Sequence, residues 1–306
     1  MTVRRRMPGT SSMNAGKHGM RHYFDSYPPR LLSVTEIPSW YSNNSFVRSG
    51  YRPVTQSVSR CVQSLAYLHN ETVNIYTHLV PALVSLAASF FFHAFFLSNY
   101  PKAIWQDEVI FQIYLTTTIF CFGISSVYHT LVCHSEGYAI AWVRLDLIAI
   151  VFQIIGSVVS GLYMGFYCEP TLQKTYWVMI VVLGTFSGAV NVLTDLDSTK
   201  WRLLRLLTLV ATGFSALAPI IHAATMFPYW QLDKQTGLRF YYAEGVAMVS
   251  GVYFYATHFP ESRWPEKFHI WGTSHQIFHC FVVVGAGLHF YGLLDAYHWN
   301  YHNARC

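Results

Sequence analysis

Two histidines at the start of the last apolar run have the spacing of a metal-binding pair on a helix. His275 and His279 are four residues apart, so on a helix they lie on one face, about a turn apart. Thr273 and Gln276 have the spacing of a capping box, which predicts that the helix begins at about Ser274. Both imidazoles then lie in the first turns of a membrane-length helix, where titratable groups are costly unless something binds them.

Three further polar side chains reach the same depth when successive apolar runs cross a membrane in alternate directions. Ser125 and His129 end the second run, and Asp146 lies near the start of the third. The end of the second span, the start of the third and the start of the seventh all meet the same leaflet. The chain therefore brings three histidines, one aspartate and one serine to a single boundary of the membrane.

Three imidazoles are the protein ligands of one kind of catalytic zinc site, in which the fourth position is open for water. We therefore predict a zinc site at His129, His275 and His279, with Asp146 orienting or deprotonating a water. Ser125 precedes His129 by four residues and faces the same way, so it could donate to a carbonyl or act on the water. Taken singly, His129 could be an interfacial side chain and Asp146 a helix cap. Their shared depth favours the metal site.

Composition indicates that lipid surrounds most of the chain. Of its 306 residues, 53% are hydrophobic and 11% are charged, whereas soluble domains carry about 25% charged residues. The net charge of +5 comes largely from the N-terminal region, since nine of the twenty Lys and Arg residues precede residue 61. No surface of interleaved basic and aromatic residues is evident, which argues against nucleic acid as a partner.

Seven apolar runs each approach the roughly 20 residues that a helix needs to cross a bilayer. We predict an all-α integral membrane protein with seven transmembrane helices in residues 61–295. A largely disordered, basic cytosolic region precedes them in residues 1–60, with a turn-rich lead-in from Ser45 to Tyr67, and a short outer tail follows in residues 296–306. The spans are placed at about 74–97, 109–132, 144–166, 175–193, 203–225, 240–258 and 275–295.

The placement of basic residues predicts the orientation of these spans. With the N-terminus in the cytosol, the inner segments carry fifteen Lys and Arg residues and the outer segments carry five, as the positive-inside rule requires. The C-terminus then lies outside, where Cys168 and Cys306 could pair, while we interpret the other cysteines as reduced and structural. The sequons at Asn43 and Asn70 would face the cytosol and stay unused.

Several stretches of the chain match the motifs of a known family. The sequence resembles the progestin and adipoQ receptor family, which includes the adiponectin receptors and their fungal relatives and is related to the hemolysin III family. The resemblance covers about residues 60–295. Its motifs are His69-Asn70-Glu71-Thr72-Val73-Asn74-Ile75-Tyr76-Thr77-His78, Ser125-Ser126-Val127-Tyr128-His129-Thr130 with His134-Ser135, Leu145-Asp146, Phe259-Pro260-Glu261-Ser262-Arg263 and Ser274-His275-Gln276-Ile277-Phe278-His279.

The resemblance implies a seven-helix protein that holds zinc on His129, His275 and His279, with Ser125 and Asp146 beside the metal. It also implies a soluble protein ligand at the outer face, for which the outer loops carry no identifying motif. The chain departs from the family pattern after Asp146, where Leu147-Ile148-Ala149 replaces a more polar run. It departs again at His269, where an acidic residue is common.

Three classes of function fit these observations. The first is a zinc hydrolase of lipid amides such as ceramide that also signals as a receptor, and its partner is a membrane lipid substrate or fatty acid. The second is a receptor in which zinc is purely structural. The third, a metal or proton transporter, is disfavoured because the polar cluster lies at one surface, without acidic residues through the midplane. We expect the plasma membrane as the location, and a homo-oligomer is left open.

Overall fold

The structure is a computed structural model that describes residues 28–42, 44–196, 198–303 and 306. The predictions for residues 1–27 and for the sequon at Asn43 lie outside the described residues. Within the described residues the chain is mostly helical. In chain order the helices are α1 (Val58–Gln63), α2 (Thr72–Asn99), α3 (Trp105–Leu131), α4 (Glu136–Gly165), α5 (Pro170–Leu193), α6 (Thr199–Phe214), α7 (Leu217–Met226), α8 (Tyr229–Thr236), α9 (Leu238–Thr257) and α10 (Ser274–His302).

Six helical segments among the described residues are long and apolar enough to cross a membrane. They are α2, α3, α4, α5, the continuous stretch Lys200–Met226 of α6 and α7, and α10. The span predicted at 240–258 is present as α9, but Arg239 and Glu244 in its first turns make it less apolar. The helical, membrane-length architecture is therefore confirmed, while the count of seven crossing helices and their orientation stay predictions.

The fifth predicted span is a broken helix. It divides between α6 and α7 at Ser215 and Ala216, just before Pro219. Proline lacks the backbone N–H and its ring clashes with the carbonyl four residues earlier, which here belongs to Ser215. The interruption between α6 and α7 falls where that clash would occur.

α10 packs against α9, α2 and α4, so it connects elements from both halves of the bundle. Two glycines allow its closest approach to α9. A Cβ at Gly251 would lie 3.0 Å from the Cβ of Phe281, and one at Gly285 would lie 2.5 Å from the Cε of Met248. Small residues at helix crossings permit this spacing. α3 packs between α2 and α4, which places its last turn beside the first turns of α10.

The described part of the N-terminal region, residues 28–42 and 44–60, contains short elements of structure, and the prediction that residues 1–60 are largely disordered stays a prediction. β1 (Leu32–Ser33) and β2 (Ser49–Tyr51) form a short antiparallel pair. Arg52 explains why this region is held in place. Its buried guanidinium donates to the carbonyl oxygens of His129 at 2.7 Å and Thr130 at 3.0 Å. Carbonyls in the last helical turn have no partner within the helix, and Arg52 supplies one.

The opposite end of the bundle is closed by a disulfide. Cys168, after α4, is bonded to Cys306, after α10, as the sequence allowed. α10 continues to His302, so most of the predicted tail at 296–306 is helical. The C-termini of α4 and α10 both lie at this end. The N-terminus of α10 and the C-terminus of α3 lie at the other end of the bundle. The disulfide and the predicted zinc ligands therefore lie at opposite ends of the bundle.

Candidate metal centre

α10 begins where its capping residues predict. Thr273 is the N-cap, its hydroxyl accepts from the Gln276 N–H, and the Gln276 side chain accepts from the Thr273 N–H in return. Glu261, which is fully buried, accepts from the backbone N–H of Ser274 at 2.8 Å and also from the Ser274 hydroxyl. These bonds satisfy donors at the helix N-terminus that would otherwise lack partners. They therefore hold the first turn of α10, which carries His275, in place.

The three predicted zinc ligands converge. His129 lies in the last turn of α3, and His275 and His279 lie in the first two turns of α10. One ligand atom from each lies within 4.8 Å of the others, and the Nε2 atoms of His275 and His129 are 3.4 Å apart. Nitrogen ligands about 2.05 Å from a tetrahedral zinc lie roughly 3.3 Å from one another. The geometry of the cluster therefore fits a metal ion of this kind.

The outward ring nitrogens of two of these histidines bond to oxygen atoms of the chain. His129 Nδ1 lies 2.7 Å from Oε2 of Glu71. His279 Nδ1 lies 3.2 Å from the carbonyl oxygen of Asn74 and 3.3 Å from the hydroxyl of Thr77. Donation from Nδ1 to these acceptors leaves each Nε2 with a free lone pair. A carboxylate or carbonyl behind each imidazole is the usual support of a zinc-binding histidine.

Glu71 is the site residue that sequence reasoning missed. Burial alone would raise the pKa of its carboxyl, but His129, a hydrogen bond from Asn74 at 2.7 Å and the charge of Arg52 hold that pKa well below its usual range. Glu71 therefore stays ionised and can offset the charge of a cation bound by the cluster. The start of the first span meets the same leaflet as the end of the second, so the depth argument could have found it.

Ser125 and Asp146 lie beside the cluster, as the depth argument predicts. The Ser125 side chain is buried and lies beside the Asp146 carboxylate, which is also near His129. Asp146 is partly buried on α4. It is not among the residues whose ligand atoms converge. The structure thus brings all five predicted residues together, and the catalytic roles of Ser125 and Asp146 stay predictions.

Two histidines of α2 make contacts with other helices that the sequence did not predict. His78 stacks on His279 with ring centroids 3.7 Å apart and planes 2° apart, so it lies against the candidate metal centre. Among the described residues, neither ring nitrogen of His78 has a hydrogen-bond partner. His93 pairs with Glu108 at 2.9 Å. Helical spacing gave no sign of either contact because both cross from one helix to another.

Two other histidines are packing residues outside the cluster. His222 Nδ1 bonds to the Tyr176 hydroxyl at 2.9 Å. His289 Nδ1 bonds to Glu244 at 2.8 Å, and its ring lies between those of Tyr114 and Tyr241.

Comparison with known proteins gives consistent matches over nearly the whole chain. A family profile described as "Haemolysin-III related" matches residues 66–290. The chain is 34% identical over 273 residues to "ADIPOR-like receptor IZH2" of Saccharomyces cerevisiae, covering 88% of this chain and 84% of the yeast protein. It is 34% identical over 267 residues to "Progestin and adipoQ receptor-like protein 1" of Caenorhabditis elegans, covering 87% of this chain and 61% of the worm protein. "Heptahelical transmembrane protein 3" of Arabidopsis thaliana is 28% identical over 296 residues, covering 85% of each protein.

Proposed function

The chain belongs to the haemolysin-III-related family of integral membrane proteins and is adiponectin-receptor-like, and on that premise we propose that it is a zinc-dependent hydrolase of lipid amides such as ceramide, linked to receptor signalling. The observation that carries this proposal is the convergence of His129, His275 and His279, each offering one nitrogen within 4.8 Å of the others. Structural zinc sites are almost always closed by four protein ligands, often cysteines, whereas catalytic sites keep one position open. A set of three imidazoles is the catalytic pattern.

The donor set favours zinc over harder cations. Three imidazole nitrogens suit zinc and other transition metals, whereas magnesium and calcium prefer oxygen ligands. Glu71 behind His129, and the Asn74 carbonyl behind His279, would orient the rings toward the metal. When bound, zinc would supply Lewis acidity that polarises a carbonyl group and makes water a better acid.

The side chains next to the histidines can carry the proton transfers of amide hydrolysis. A carboxylate oxygen of Asp146 takes a proton from the attacking water as the new C–O bond forms. The same group then gives that proton to the amide nitrogen, the C–N bond breaks, and the products are a fatty acid and a sphingoid base. Ser125, which lies beside Asp146, either holds this carboxylate in position or donates to the substrate carbonyl.

The position of the cluster supports a lipid as substrate. It lies at the end of the bundle where α3 ends and α10 begins, and apolar helices extend away from it. An acyl chain could lie along those helices while the amide reaches the polar residues near the headgroups. The Cys168–Cys306 disulfide at the other end supports a cytosolic place for the cluster, since disulfides persist in oxidising compartments.

The test is metal analysis of the purified protein joined to an assay of fatty acid release from long-chain ceramide. We expect zinc in the protein, and we expect fatty acid release to stop when a chelator removes the metal and to return when zinc is restored. Fully zinc-loaded protein that releases no fatty acid from any long-chain amide would contradict the proposed activity.

The second candidate is a receptor in which zinc only holds the helices together. The names of the yeast and worm relatives, which are called receptors or receptor-like, favour it. The cluster would then link α3 to α10 without turnover. The two candidates differ in one result: removal of zinc would lower thermal stability in both cases, but only the hydrolase would also lose fatty acid release.

A further inference from the structure

Two cysteines meet where the lead-in (residues 45–67) packs against the end of α3. Cys61 lies on α1 and Cys133 just after α3, 72 residues further along the chain, yet their sulfur atoms are 3.4 Å apart. Both residues have 0% of their surface exposed. Neither takes part in the candidate metal centre.

Hydrogen bonds of the surrounding backbone hold the two cysteines next to each other. The Thr55 N–H donates to the Cys133 carbonyl at 3.0 Å, and the Thr55 hydroxyl lies 3.2 Å from the sulfur of Cys61. Gln56 also donates its N–H to the carbonyl of His134 at 3.0 Å. The sulfur atoms need to approach by only about 1.4 Å to reach the length of a disulfide bond.

The two thiols differ in their acidity. The hydrogen bond between them lowers the pKa of the Cys133 thiol, burial opposes that shift, and the Arg52 guanidinium lowers the pKa further. The same hydrogen bond, together with burial, raises the pKa of the Cys61 thiol. A thiolate beside a protonated thiol is the arrangement in which oxidation of the first is followed by attack of the second.

We propose that Cys61 and Cys133 form an oxidative modification site, at which a small hydroperoxide produces a reversible disulfide between the lead-in and the end of α3. The Cys133 thiolate attacks the terminal peroxide oxygen and the O–O bond breaks. The leaving alkoxide, or hydroxide when the reagent is hydrogen peroxide, takes the proton that the Cys133 thiol released and becomes an alcohol or water. Cys133 is then a sulfenic acid. The Cys61 sulfur attacks the sulfur of Cys133, the S–S bond forms, and hydroxide leaves with the Cys61 proton as water. Two thiols lose two electrons, and the hydroperoxide gains them.

Burial decides which reagents reach the site. Because both thiols are shielded, the lead-in must open before a reagent enters, so a small peroxide reacts while a bulky alkylating agent does not. The other free cysteines described are Cys121 and Cys280, and neither has a sulfur atom beside it in the described part of the chain. Cys168 and Cys306 are already bonded to each other.

The disulfide would act on the helix end that carries His129. Arg52 ties the lead-in to the carbonyls of His129 and Thr130, and its guanidinium also donates to the Ser64 hydroxyl on the same side of the contact. A covalent bond from Cys61 to Cys133 would keep this contact closed. The proposal does not depend on the hydrolase activity, and the experiment below has no activity readout.

The experiment treats the full-length protein in detergent with hydrogen peroxide, then denatures it, alkylates the remaining thiols and maps them by mass spectrometry. Alkylatable cysteines should fall from four to two, a peptide pair joined through Cys61 and Cys133 should appear, and dithiothreitol should reverse both changes. In Cys61→Ser the joined pair should vanish and Cys133 should become reactive toward dimedone, which marks sulfenic acids. Cys280→Ser is the matched control and should still form the Cys61–Cys133 pair.

A second readout covers the case in which Cys61→Ser folds poorly. Peroxide-treated wild-type protein should melt several degrees above the untreated protein, and the rise should disappear after reduction. The proposal is overturned if Cys61 and Cys133 remain alkylatable to the same extent after peroxide, or if either joins a different cysteine instead.

Discussion

Asp146 has a role in the proposed chemistry that is separable from that of the histidines. It contacts Ser125 and lies near His129, but it is not one of the three residues whose ligand atoms converge. Asp146→Ala should therefore keep its zinc and lose about 10²–10⁴-fold in ceramide turnover, which is the usual contribution of a general base. Fatty acid release is measured at matched zinc content. Wild-type turnover in this variant would contradict the role assigned to Asp146.

Glu71 should affect metal affinity because it supports a ligand without binding the metal itself. Its carboxylate lies 2.7 Å from Nδ1 of His129. Glu71→Gln keeps the shape but removes the charge, and zinc affinity should fall about 10–100-fold. Glu244→Gln is the matched control, since Glu244 makes a similar 2.8 Å contact with His289, which lies outside the cluster. Affinity measured by competition with a chelator should change in the first variant alone; equal losses in both would point to a general effect on the fold.

At the scale of elements, the end of α3 depends on a residue from outside the bundle. Arg52 is fully buried and donates to the carbonyls of His129 and Thr130 and to the hydroxyl of Ser64. Arg52→Met should lower the free energy of unfolding by about 3 kcal/mol, because buried acceptors lose a charged donor. Thermal denaturation in detergent measures the loss.

The matched control for Arg52 is Arg48, whose side chain is 54% exposed and pairs with the exposed Glu266. Arg48→Ala should cost less than about 1 kcal/mol, as expected of a surface ion pair. Similar melting temperatures for Arg52→Met and wild-type protein would show that Arg52 does not hold the end of α3.

A feature of a single element could be predicted where the residues that cause it are close together in the sequence. The start of α10 was predicted correctly because Thr273 and Gln276 are only three residues apart and bond to each other. The packing of Arg52 against the end of α3 could not be predicted, because Arg52 is 77 and 78 residues away from its acceptors at His129 and Thr130. A single arginine in a polar segment carries no periodic pattern.

At the scale of the whole molecule, the alternating direction of the membrane spans was sufficient to predict that residues from three helices lie close together. It placed Ser125, His129 and Asp146 with His275 and His279, although no local motif joins them. Individual side-chain contacts between helices, such as the stacking of His78 on His279, depend on how each helix is rotated about its own axis. Hydropathy fixes the depth of a residue but leaves that rotation undetermined.

Orientation in the membrane is the prediction that belongs to this scale. The basic N-terminal region and the disulfide at the far end both favour a cytosolic N-terminus and an outer C-terminus. An epitope tag after residue 2 should be protected from antibody in intact cells, and a tag after Cys306 should be accessible. Glycosylation at Asn70 would require the reverse orientation.

The central claim is that three histidines from two helices bind one zinc ion. The most direct measurement is the metal content of purified protein, by mass spectrometry of the metal, for the wild type and for the double variant His275→Ala/His279→Ala. We predict about one zinc per chain in the wild type, as for a three-histidine site, and almost none in the double variant. Undiminished zinc in a folded double variant would contradict the account.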